Sequence, residues 1–242
     1  MTRIKLPSGL PATRQLTRSA LVALLCYAYF LIATVALYFS NSEYTLARSF
    51  TAIGNYDLGP HEFLIASTIF SLGLGSLALV SGLYHGISPS ARSRIGLVLL
   101  VSWGVGMLIA GIFPTDKPGS TVPHMTTVLI AGVFPVAVEA YPETTFGWVH
   151  VLAGFLSFLS LALAAVSLSW RFKLDEKWRP FHRLALSLSL VMLGTLIWIF
   201  LVVFFVFRTG FEAIILNILI GASLMWLFLT SIQLRFKVLS DP

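Results

Sequence analysis

Six stretches of this chain run for about twenty residues almost without a polar break: Ala20–Phe39, Phe63–Tyr84, Ile95–Phe113, Trp148–Trp170, Leu184–Phe207 and Ala213–Gln233. A helix rises about 1.5 Å per residue, so each run matches a hydrocarbon core about 30 Å thick. Unpaired backbone groups are costly in hydrocarbon, and long apolar runs joined by short polar links point to helices rather than to a barrel. The pattern predicts an all-α, polytopic membrane bundle of six transmembrane helices. Its parts are a basic arm over 1–19, a membrane domain over 20–235 and a tail over 236–242. A seventh apolar stretch, Val128–Val138, is broken by Pro135 and is too short to span. It is expected as a re-entrant or interface-lying segment of the long outer connection between helices three and four.

Composition agrees with this reading: 57% of residues are hydrophobic and only 11% are charged, where a soluble domain carries roughly 25% charge. A cytosolic enzyme and a disulfide-stapled secreted domain are excluded. Cys26 is the lone cysteine and lies in the first run, which is read as an uncleaved span. Charge then sets orientation. Of sixteen Lys and Arg, all but Arg48, Lys117 and Arg208 fall on the side that holds the N-terminus, 85–94, 171–183 and 234–242. The positive-inside rule places both termini in the cytoplasm, and the expected location is a bacterial inner membrane. A seventh span would carry the basic 171–183 link outside. The net charge of +6 is a topology signal for anionic headgroups; no nucleic acid partner is expected.

Within the six runs there is no Asp, Glu, Lys or Arg, and the only histidine is His150. Ion-coupled transport and pumping normally need such groups in the membrane, so both are disfavoured. Gly73, Gly75, Gly104, Gly106, Gly111 and Gly221 permit close helix approach and are read as packing positions. A haem is not expected, because only His61 and His150 could pair at one depth.

The other side collects acidic residues and three of the five histidines. Asp57, His61 and Glu62 precede helix two, Asp116 follows helix three, and His150 opens helix four. Imidazole with carboxylate can bind Zn²⁺ or run acid–base chemistry. The same residues also suit turns, caps and interfacial hydrogen bonds. There is no zincin pair and no Gly-x-Ser-x-Gly elbow.

The run Trp103-Gly104-Val105-Gly106, ending Gly111-Ile112-Phe113-Pro114-Thr115-Asp116, is followed by His150-Val151-Leu152-Ala153-Gly154. Together with Trp178-Arg179-Pro180 and Trp226, this resembles the six-helix prokaryotic membrane family called domain of unknown function 998, over about residues 20–235. A serine often present near the start of helix two in that family has no counterpart in Asn55–Gly59, and the insertion around Ser120–Thr144 is longer. The resemblance implies a fold and carries no activity.

The residues therefore support a non-catalytic integral membrane protein, an accessory subunit or binding module that packs in a larger membrane assembly. Its partners are then the lipid bilayer and one or more membrane proteins, and no cofactor is expected. The alternative is a metal-dependent membrane hydrolase acting on a lipid at the outer face, with zinc as its metal. A third reading is a passive transporter of a small amphiphile.

Overall fold

The computed structural model describes residues 10–40, 62–113, 125–130, 134–139, 144–205 and 212–239. Six long helices stand among them: α1 (Leu10–Ser40), α2 (Glu62–Gly86), α3 (Arg94–Ile112), α4 (Thr145–Phe172), α5 (His182–Phe205) and α6 (Glu212–Leu239). Each is long and apolar enough to cross a bilayer, so the chain is a six-span membrane protein, as the hydrophobic pattern predicts. Helix α1 begins inside the stretch expected as an arm, and α6 runs on past the expected end of its span. Long Arg stems such as those of Arg14 and Arg18 let a helix continue through the interface while their heads reach water.

The connection between α3 and α4 adds two strands, β1 (Met125–Ile130) and β2 (Phe134–Glu139). They pair antiparallel, with Met125 opposite Glu139 and Ile130 opposite Phe134. The described parts of the short apolar run, 128–130 and 134–138, are thus strand. Thr126, Thr127, Val128, Ile130, Val136 and Val138 are β-branched and favour extended backbone. Pro135 is tolerated because both strands of a two-stranded ribbon are edges.

Consecutive helices pack side by side, and α6 closes against α1 while also touching α2 and α4. In lipid, inward and outward faces differ by size and polarity rather than by hydropathy, because acyl chains solvate leucine as well as a neighbouring helix does. Helix α1 shows this: Ala20, Ala23, Tyr27, Phe30 and Ala33 are buried, while Leu25, Ile32 and Phe39 face outward. Helix α4 turns Ser157, Ala162, Ala165 and Ser169 inward.

Two serines organise the buried polar groups. Ser76 on α2 accepts from Trp103 Nε1 of α3 at 2.8 Å and lies 3.2 Å from the Tyr27 hydroxyl of α1. Its own proton goes to the Leu72 carbonyl at 2.8 Å. Ser169 on α4 accepts from Trp226 Nε1 of α6 at 3.0 Å and lies 3.1 Å from Ser189 Oγ of α5. Each hub ties three helices together. Helices α3 and α4 are then joined by the 2.6 Å bond between the Ser93 and Ser167 hydroxyls.

Glycines close the remaining gaps. A Cβ on Gly73 would lie 2.7 Å from the Gly104 carbonyl oxygen, and one on Gly111 would lie 2.8 Å from the Phe70 amide nitrogen, so α2 and α3 meet backbone to backbone. Gly104 faces Leu77, Gly75 meets Cys26 of α1, and a Cβ on Gly106 would run into Ser157 of α4. Gly221 departs from the expected packing role: it is exposed, and nothing lies within 4 Å of where its Cβ would stand. Ala222 and Ser223 are the residues that α6 turns inward there.

These contacts predict opposite outcomes for two equal substitutions. Gly73→Ala forces two backbones apart and should cost about 1–3 kcal/mol. Gly154→Ala enters open space and should be neutral or gain up to about 1 kcal/mol of helix propensity. Unfolding of both variants in mixed micelles measures the difference.

Candidate functional site

Helix α3 ends at Ile112, where Phe113 turns extended and its N–H donates to the Ile109 carbonyl. The last carbonyls of a helix have no partner within it and must find one outside. His150, in the second turn of α4, supplies it. Its Nδ1 lies 2.9 Å from the Ala110 carbonyl oxygen and 2.8 Å from that of Phe113. Both partners accept only, so Nδ1 carries a proton.

The start of α4 fixes where that ring stands. Thr144 caps the helix, its Oγ1 accepting from the Gly147 amide at 3.1 Å. Phe146 stacks on Phe113 with ring centroids 5.5 Å apart. His150 is half-buried, and its ring orientation is set by two carbonyls of a different helix. An imidazole fixed through Nδ1 in this way presents Nε2 as its ligand-binding atom.

Of the other residues predicted for this site, Asp57, His61 and Asp116 lie outside the described residues, and Glu62 opens α2. Among the described residues, the structure brings His150 to the end of α3, and no three of His, Cys, Asp and Glu gather into a group able to hold a metal.

The opposite end of the bundle holds polar contacts that the sequence reading did not anticipate. Asp175, in the link between α4 and α5, is buried, and its two carboxylate oxygens accept from different backbones. Oδ2 takes the Ser88 amide of the α2–α3 link at 2.8 Å, and Oδ1 takes the Lys177 amide at 3.1 Å. Trp178 is fully buried beside it, stacked on Phe172 at 4.6 Å, with Nε1 donating to the Gly86 carbonyl at 3.4 Å. Gln233 of α6 reaches the Lys177 carbonyl at 3.0 Å. One signal was present in the sequence: a tryptophan within a charged link has a large apolar surface to hide.

The family model whose description reads "Protein of unknown function (DUF998)" matches residues 22–233. No curated protein and no solved structure matches the chain.

Asp175→Ala removes a charged acceptor from two part-buried amides and should cost about 1.5–3 kcal/mol. Asp175→Asn keeps an acceptor oxygen and should lose less. Glu176→Ala, at an exposed neighbour, should change little. Micellar unfolding of the three variants checks the order.

Proposed function

Because the chain belongs to the domain of unknown function 998 family, which carries no assigned activity, we propose that it is a non-catalytic integral membrane subunit, a binding module that packs into a larger membrane assembly. One observation supports this most directly. Helices α5 and α6 each carry a glycine on the exposed face, centred in a row of large apolar side chains. On α5, Leu190, Ile197, Trp198 and Leu201 surround Gly194; on α6, Ile214, Ile218 and Met225 surround Gly221. Neither glycine has an atom within 4 Å of where a Cβ would stand. A glycine gains nothing from lipid, yet it lets another helix approach closely and collect dispersion contacts. In the most apolar part of the span containing α5 only 22% of the residues are buried within the chain, which leaves one broad face of that helix for outside contacts.

A second reading rests on His150. With Nδ1 committed to two carbonyls, Nε2 can ligate a metal, and Asp57, His61 and Asp116 are the residues from which further ligands would come. Such a centre would serve a hydrolase acting on a lipid ester or amide at that face.

In either reading the basic end of the bundle, with 85–94, 171–183 and both termini, lies in the cytoplasm of a bacterial inner membrane. A reporter fused after Pro242 should be active only as a cytoplasmic fusion. Periplasmic activity would invert the bundle.

Purification of the tagged full chain in mild detergent separates the two functional readings. The subunit reading expects a membrane protein in near-stoichiometric yield, lost in Gly194→Leu/Gly221→Leu while monomer unfolding is unchanged. A lone monomer holding about one zinc that is lost in His150→Ala would replace that reading with the hydrolase.

A further inference from the structure

At the basic end, the α2–α3 link and the last turns of α4 enclose an open recess of about 720 Å³. Three arginines line it, Arg92, Arg94 and Arg171, and none of its lining residues is acidic. We propose that this recess binds the phosphate headgroup of an anionic membrane lipid. The site is independent of whether the chain is a subunit or a hydrolase, and of which way the bundle faces.

Positive charge on this side is expected from topology alone, with each basic head separately solvated. Arg92 is held otherwise. Its guanidinium carbon lies 4.3 Å from the centre of the Tyr84 ring, one terminal nitrogen reaches the Ile87 carbonyl at 3.4 Å, and its Nε is enclosed with no acceptor. A side chain fixed in this way loses little further freedom when a ligand comes to the recess it lines, and phosphate oxygens suit the arginine fork of its neighbours. Arg94 is the first residue of α3, so the positive end of that helix dipole also opens on the recess. The joined hydroxyls of Ser93 and Ser167 stand on the same wall.

A lipid is favoured over a soluble phosphate by what lies alongside the arginines. The recess sits where the spans Arg94–Ile112 and Thr145–Phe172 reach the membrane boundary. Ile95 is 71% exposed and lines the recess with Val166, which gives an acyl chain an apolar surface to follow. Trp170 is 55% exposed at the rim, at the depth where tryptophan anchors to headgroups, and Lys173 Nζ stands 3.9 Å over its ring. The ligand therefore needs an anionic head and an apolar tail together.

Native mass spectrometry of the full chain in non-ionic detergent, titrated with phosphatidylglycerol or phosphatidylcholine, reads the site. The wild-type protein should retain one phosphatidylglycerol with a preference of about tenfold or more, since one charge-assisted contact is worth roughly that factor. Arg94→Gln/Arg171→Gln should fall to the phosphatidylcholine level. Arg183→Gln/Arg235→Gln removes the same charge from exposed positions outside the recess and should retain the preference. The proposal is overturned by equal loss in that control pair or by no preference in the wild type. Competition by glycerol phosphate at the same concentration as the lipid would overturn it in favour of a soluble phosphate.

Discussion

An unpaired polar group is costly in hydrocarbon, and although Asn217, Ser223 and Thr230 of α6 each keep a buried oxygen without a partner, this cost does much to decide how the six helices sit. An indole N–H in a lipid-filled interior has no water to turn to. Trp103 and Trp226 each spend theirs on a serine of another helix, and that serine reaches a hydroxyl of a third. Three helices are indexed by each hub, α1 to α3 by Ser76 and α4 to α6 by Ser169. Apolar contact alone would let the helices rotate, because lipid competes equally for every leucine. The hydrogen bonds remove that freedom, and the glycines between α2 and α3 let the backbones come near enough for dispersion to contribute.

The spans were legible in the sequence because the bilayer imposes a length, and no other fold class explains six apolar runs of that length. The inward face was not legible from hydropathy. Leu25 and Tyr27 are both apolar in pattern, yet one faces outward and the other is fully buried. Small residues carried part of that information, as at Ala20, Ala23 and Gly73, but Gly221 shows that smallness does not specify a side. The strand pair β1–β2 was missed because its apolar run reads the same for a strand as for a buried segment, and only its β-branched content separates the two.

At the candidate site the position of His150 was legible and its work was not. Its place one turn and a half into α4 marked it, but its contact with the end of α3 depends on a tertiary approach between two helices joined by a long connection. Asp175 illustrates the same limit from the other side. In sequence it is one of two acidic residues among the five Lys and Arg of 171–183, which reads as a solvated charge. Folding buries it between two links far apart in the chain, where it acts as a backbone acceptor.

That burial has a mechanical result. With the α2–α3 link bound to the α4–α5 link through one carboxylate, and Trp178 wedged beside Gly86, four helix termini are riveted into a single plate. Sliding of these helices past one another at that plate would break these bonds. For α2 to α5, splaying at the far rim leaves these bonds intact, as staves part when a barrel is hooped at one end.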